Sequence, residues 1–295
     1  MCRFWIAAAL LPVAACGGAQ EPEPPDLALT RSQRVAIAAF QQGQLDQAAH
    51  LSEAALVHAH ARDDAQAISD IGYNLAVIAL RRGRPETALA AARAARGDAE
   101  RRGVKVLPEL KLVEAAALYR LGRLAEAAAV AEALVTTDAD ASTTDRALFI
   151  RGLVAADSGD AAGLVAALAS LAERAAEMPV ADLEELRARR ADLAGDAAAA
   201  RAAALVAAAL RRDELDYAGM ARALAMAAAA AEALGNDAEA AHLYLRAGRS
   251  AAAQSASADA ARWLEAAIRS AGTAGQAELA AEAKRDRAAL DNTSL

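Results

Sequence analysis

The sequence predicts an all-α protein built as a solenoid of helical hairpins, and three observations carry that prediction. Alanine dominates, with runs such as Ala197–Ala200 and Ala227–Ala231, whereas aromatics make up 3% of the 295 residues. Alanine is the strongest helix former, and its short side chain lets helices approach closely. The Val/Ile-rich runs that a sandwich or a doubly wound sheet would need are missing from the sequence. Finally, Gly43, Gly83, Gly122, Gly159, Gly195, Gly235 and Gly275 recur at intervals of 40, 39, 37, 36, 40 and 40 residues.

Each of these glycines ends one Ala/Leu-rich helical stretch and, after a short turn, precedes another: GQLDQAAHL, GRPETALAA, GRLAEAAAV, GDAAGLVAA, GDAAAARAA, GNDAEAAHL and GQAELAAEA. Glycine suits this place because a helix C-terminus often closes on a left-handed residue. Asp160, Asp196 and Asn236 follow closely enough to cap the next helix. Pro85 stands near a helix start, where its missing N–H costs nothing. Each unit is therefore two antiparallel helices, neither of which can bury its apolar stripe alone. Stacking the units gives one continuous core of about 14 helices over residues 29–291.

The N-terminus has a different character. Arg3 supplies a short positive region, Phe4 to Leu11 an apolar one, and small residues follow. Residues 1–15 read as a signal peptide, too short to span a membrane as a helix. Val13-Ala14-Ala15-Cys16 resembles the lipobox of bacterial lipoproteins. The resemblance implies cleavage before Cys16, diacylglycerol on its thiol and acylation of the new N-terminus. Several acyl chains anchor stably, where one binds only marginally. Gly17 stands where an Asp favours inner-membrane retention in that family, which points to the outer membrane, facing the periplasm.

Residues 16–28 are then the lipidated Cys and a tether, kept extended and solvated by Pro22, Pro24 and Pro25 and three carboxylates. Cys2 leaves with the signal and Cys16 is blocked by lipid, which excludes disulfides, thiol chemistry and Cys-based zinc sites. Loss of Arg3 leaves 31 basic against 39 acidic side chains, a net −8. That balance argues against nucleic acid as a partner and against a basic face lying on anionic lipid.

The repeat resembles the tetratricopeptide repeat. That family has small residues near its eighth and twentieth positions, an apolar residue near the eleventh and a turn former near the fifteenth. With Gly83 on the fifteenth, Ala76, Ala79, Ala88 and Ala95 fall on the eighth, eleventh, twentieth and twenty-seventh. With Gly43 there, Ala36, Ala39, Ala48 and Ala55 do, and with Gly235, Ala228, Ala231, Ala240 and Ala247, while Tyr244 takes the bulky twenty-fourth. The resemblance covers nearly all of residues 29–290 and implies a right-handed superhelix with a concave groove. The period exceeds the usual 34 or so, which longer helices would explain, as in the forty-residue variants of some bacterial regulators. The family's first-helix Trp and Tyr and its closing Pro are mostly missing. Unit four departs most, with Leu164 where Ala is expected.

No constellation for chemistry emerges. There is no Gly-rich phosphate loop, GxSxG, HExxH or EF-hand pattern. His58 and His60 are two apart on a helix and do not share a face, His50 and His58 are too distant for one metal, and His242 stands alone. Asp63 and Asp64 read as caps of the next helix. Glu184-Glu185 with Arg187, Arg189 and Arg190 reads as a solvated face of modest ion pairs. No catalytic residue, metal site or cofactor is predicted.

One pattern exceeds the fold. Phe40, Tyr73, Tyr119 and Phe149 lie in the first helices of units one to four, on family positions twelve, five, twelve and five, which tend to line the concave groove. Gln41, Arg81 and Arg120 take the thirteenth, also groove-facing, and Asn74 the sixth, where family members often hold a peptide backbone. Aromatic and Arg side chains together make a plausible peptide cradle. The alternative is that the aromatics merely fill gaps between alanines. The family's clamp for C-terminal carboxylates has no basic counterpart in unit one. The expected function is a membrane-anchored scaffold or adaptor for other envelope proteins. The alternatives are an accessory or regulatory subunit of an envelope enzyme or assembly machine (peptidoglycan, pilus secretin, outer-membrane assembly), or a sensor array without its effector.

Overall fold

The computed structural model describes residues 26–137, 139–174, 180–254 and 256–293. Those residues form fourteen helices and no strand: α1 (Leu27–Gln41), α2 (Leu45–Ala61), α3 (Ala65–Arg81), α4 (Pro85–Arg101), α5 (Pro108–Arg120), α6 (Leu124–Val135), α7 (Ala141–Asp157), α8 (Ala161–Arg174), α9 (Val180–Leu193), α10 (Ala197–Asp213), α11 (Tyr217–Ala233), α12 (Asp237–Ala253), α13 (Ser257–Thr273) and α14 (Ala277–Thr293). Each helix packs on the next, giving seven stacked hairpins. Among the described residues, no helix is long and apolar enough to cross a membrane. Residues 1–25, including Cys16 and the proline-rich segment, lie outside the described residues.

All seven periodic glycines sit in the hairpin turns with φ between 68° and 75°. At Gly83 the reason is visible. Its amide donates to the Leu80 carbonyl at 3.1 Å and the Arg84 amide to the Ala79 carbonyl at 2.9 Å, closing the end of α3 in a left-handed turn. Caps start the helices that follow: Asp160 accepts from the Gly163 amide at 2.9 Å and Asp196 from Ala199 at 3.0 Å. Asn236 accepts from the Glu239 amide at 3.3 Å, and Pro85 opens α4.

Three expectations shift. The tether was expected to run through residue 28, but α1 begins at Leu27, because the Asp26 carboxylate accepts the Ala28 and Leu29 amides at 2.8 and 3.1 Å. The array's last helix runs to Thr293 rather than 291. Asp64 caps α3 through the Ala67 amide at 3.0 Å, but Asp63 does not cap: it is the left-handed residue of that turn, φ 56°, ion-paired with Arg102.

Leu215 takes the same left-handed conformation, φ 59°, between α10 and α11, with 70% of its surface exposed. A β-carbon there crowds the carbonyl oxygen. Leu215→Gly is therefore expected to raise unfolding free energy by roughly 1 kcal/mol, measurable by denaturant titration. A loss of stability would show that the Leu215 side chain contributes packing that outweighs the strain.

The core is mostly alanine. Ala76, Ala88, Ala117, Ala227 and Ala228 are completely buried. Small contacts bring the backbones close. A β-carbon added at Gly72 would lie 2.5 Å from that of Ala95, so α3 and α4 touch there without room for a methyl group.

Candidate partner-binding groove

Curvature follows from which helices adjoin. The first helices of units two to six, α3, α5, α7, α9 and α11, pack one against the next, whereas among the second helices α12 and α14 do so. A stack drawn tighter along one side bends toward it, so the first helices line the concave face.

On that face Arg81 lays its guanidinium 5.4 Å above the Phe40 ring, joining units one and two by a cation–π contact. Arg120, exposed at the end of α5, donates from Nη1 to the Leu80 carbonyl at 2.6 Å, which holds it beside Arg81. Partial loss of hydration lowers the pKa of the Arg120 guanidinium, although the side chain still touches solvent. Arg222 and Arg81 lower it further, against opposing contributions from Asp259 and Asp216. Gln41 is exposed at the end of α1, and Tyr73 and Asn74 are half-buried within α3. Burial raises the Tyr73 hydroxyl pKa, helped by Glu109 of the next unit.

The other two aromatics take different roles. Tyr119 donates its hydroxyl to Asp157 Oδ2 at 2.6 Å, linking α5 to α7. Phe149 is 7% exposed, packed in the core with Leu148, Leu153 and Leu186, and the Arg211 guanidinium lies 5.6 Å from its ring. The structure thus joins Phe40, Arg81 and Arg120, and separates Phe149 from them.

Around Phe149 lies a buried ion network. Arg211 reaches from α10 to pair with Asp182, with Glu185 at 3.1 Å and with Asp216 at 3.2 Å. Asp182 also receives Arg146 at 3.2 Å. Arg189 meets Glu185 at 3.8 Å and Asp157 at 2.7 Å, which leads back to Tyr119. Arg211, Asp182 and Glu185 are each 2% exposed or less. Burial raises the Asp182 pKa, outweighing Arg211 and Arg146. Burial opposes the Arg211 charge too, but Asp182, Glu185 and Asp216 outweigh it and raise its pKa.

This corrects the reading of Glu184–Arg190 as one solvated face. Glu185 is buried and Arg189 half-buried, while Arg187 and Arg190 are exposed. Positions 182, 185 and 189 are spaced three and four apart, so they share one stripe of α9 turned toward α7 and α10. That spacing was the available signal. The four histidines, His50, His58, His60 and His242, are exposed. Among the described residues no group of three or more His, Cys, Asp or Glu is placed to hold a metal ion.

No protein-family model matches the sequence, and no curated protein does. Solved structures match in shape. A tetratricopeptide repeat protein from Parabacteroides merdae superposes with a TM-score of 0.53 at 16% identity, covering 88% of this chain and 100% of that one. A Rap protein complexed with Competence and Sporulation Factor gives 0.63 at 11% identity, covering 90% and 77%. The apo form of RapI gives 0.53 at 10%, again covering 90% and 77%. The fold is that of the tetratricopeptide repeat.

Within this tetratricopeptide-repeat array the long period comes from long helices, as expected. Helices α3, α4, α10, α11, α12 and α13 are each 17 residues. The shortest interval, Gly159 to Gly195, holds α8 and α9 of 14 residues each.

Burial, aided by the Asp157 contact, pushes the Tyr119 hydroxyl from 10.0 up to about 12, while Arg189 pulls the other way. Because the folded pKa is the higher one, an unfolded chain ionises this phenol first, and its contribution to stability is lost as pH rises from about 10 to about 12. Tyr119→Phe should flatten the stability profile in that window and delete one late-ionising phenolate from an absorbance titration. An unchanged titration would place Tyr119 in water.

Proposed function

We propose that the protein is a membrane-anchored adaptor that holds a partner polypeptide in the concave groove of its tetratricopeptide-repeat solenoid and itself catalyses nothing. The observation that carries this reading is the groove wall of units one to three. There Phe40, Arg81 and Arg120 are locked side by side, with Tyr73 and Asn74 on α3. Aromatic and Arg anchors held in place by their neighbours are what concentrates binding energy at protein interfaces. One similar structure is of a Rap protein complexed with Competence and Sporulation Factor, which supports a partner-holding role for this architecture.

The anchor is the lipid on Cys16, argued from Val13-Ala14-Ala15-Cys16. Pro22, Pro24 and Pro25 in the tether lift the array from the membrane. On this reading the protein belongs to the cell envelope, at the outer membrane facing the periplasm, and its partners are other envelope proteins.

One paired experiment tests both parts. Intact mass of the membrane fraction is expected to show loss of residues 1–15 and added lipid. Cys16→Ser still cleaved and membrane-bound would overturn the anchor. A photo-crosslinker at Tyr73 or Arg81 is expected to capture a partner that one at Val57, 68% exposed on α2, does not. Equal capture from both positions would overturn the groove.

A further inference from the structure

The two ends of the array are finished differently. Twelve residues before their turn glycines, units two to seven carry Ile71, Leu110, Ala147, Leu183, Ala223 and Trp263. All six are apolar and buried. Ile71 packs with Leu29 and Ala55 of unit one, and Leu110 with Ala76 and Ala92 of unit two, so this position faces the unit before. Among the described residues no unit precedes unit one, and there the same position is Arg31, exposed.

Leu27, Arg31, Arg34, Val35 and Ile37 are linked by spacings of three and four, which puts them on one side of α1. All five are exposed, Leu27 over 75% of its surface. Among the described side chains, no other helix exposes more than one large apolar residue, whereas α1 exposes three. It is also the one described helix without Asp or Glu. Among the described residues, Arg31 and Arg34 make no ion pair. The carboxylate that starts the helix, Asp26, is engaged by the Ala28 and Leu29 amides and by Arg62 at 3.7 Å. A protein of net charge −7 thus has one purely cationic helix. At the opposite end α14 exposes Glu278, Lys284 and Arg285, both signs together, and among its described side chains no large apolar one. A cap needed only for solubility would resemble α14.

We propose that this face of α1 rests on an anionic phospholipid surface, with Leu27, Val35 and Ile37 entering the headgroup layer and Arg31 and Arg34 meeting lipid phosphates. The proposal rests on the anchor at Cys16. Residues 16–25 separate that cysteine from Asp26. Fully extended they reach about 35 Å, so α1 stays close to the membrane. A tether that can lift the array can also let its first helix turn back. Five side chains bind a surface weakly from free solution, but tethering holds them there at a high effective concentration. The rest of the array is acidic and is repelled by the same surface. Unit one therefore lies down while later units point away, which leaves the groove open to its partner.

The test uses the chain from Cys16 onward, its one thiol coupled to a maleimide lipid in vesicles. Leu27→Trp reports contact through quenching by nitroxide-labelled lipid. Val165→Trp, exposed on α8, is its control, and buried Trp263 gives both the same background. On vesicles containing phosphatidylglycerol, Leu27→Trp is expected to be quenched and Val165→Trp is not. On phosphatidylcholine alone the quenching should be smaller, and added salt should relieve it on the anionic vesicles. Arg31→Gln/Arg34→Gln should abolish the difference between the two lipids. Arg31→Lys/Arg34→Lys should keep it, since the attraction is to charge. Circular dichroism and melting temperature should match the parent in all these exposed-site variants.

Equal quenching at positions 27 and 165, or equal quenching on both lipids, would overturn the proposal. So would a dimer of the uncoupled chain that Leu27→Glu dissociates, which would make a second copy the occupant. The anchor reading fails separately. Absence of lipid on Cys16 in cells removes the anchor whatever the vesicles show. An unquenched Leu27→Trp on the coupled protein removes the membrane face and leaves the anchor standing.

Discussion

Arg211→Ala is expected to lower unfolding free energy by about 3–5 kcal/mol, the cost of stripping the partner from buried charges. Asp182 and Glu185 would stay behind, 2% and 1% exposed, with no guanidinium between them. Arg146 and Arg189 reach them, but at 3.2 and 3.8 Å from the rim. The cation over Phe149 would go too. Two controls separate charge from packing. The triple variant Arg211→Met/Asp182→Asn/Glu185→Gln should recover most of the loss, because it removes the need for a countercharge. The single variant should also regain stability relative to the parent as pH falls. Without Arg211 the carboxylates take up protons more readily folded than unfolded, so their penalty is greatest above, and relieved below, the ordinary carboxylate range. Denaturant unfolding across pH measures all of this. A loss of under about 1 kcal/mol, typical of solvated pairs, would mean that water reaches the network.

Leu264→Ala is expected to cost about 2–5 kcal/mol, and to spend it locally. Leu264 is 1% exposed and lies against α12 so closely that a β-carbon on Gly248 would come within 2.6 Å of its Cγ. It packs at the junction of units six and seven. In a stacked array each unit is stabilised by itself and its neighbours, and the last has a neighbour on one side only. Hydrogen exchange should therefore show α13 and α14 losing protection while α3 to α6 keep theirs. Even acceleration across all units would show that the array unfolds as one block.

Much of this architecture was legible because turn chemistry is local. A glycine in the left-handed region announces itself by residue type, so Gly43 through Gly275 marked all seven hairpins. The turns at Asp63 and Leu215 did not, since an ordinary residue gives no sign that its backbone has been forced there. The start of α1 was misplaced for a similar reason: Asp26 was read as part of an acidic tether, and its capping role depends on chain direction.

The ion network was hidden for a different reason. Arg211 finds Asp182 across 29 residues and Glu185 across 26, so each helix alone shows only an ordinary charged stretch. Helix positions of Phe40, Tyr73, Tyr119 and Phe149 followed from the repeat, but their neighbours did not. Phe149 and Tyr73 share a repeat position, yet only Phe149 has an arginine from the second helix of the following unit lying over its ring.

Asp157 has a mechanical consequence. One carboxylate on α7 takes the Tyr119 hydroxyl from the unit before and the Arg189 guanidinium from the unit after. Three consecutive units are thereby cross-braced at the middle of the array, where bending would have to break charged contacts. Toward either end other charged contacts tie neighbouring units, Arg93 to Glu114 at 2.7 Å and Arg249 to Asp286 at 2.6 Å, but none of them joins three units through one side chain.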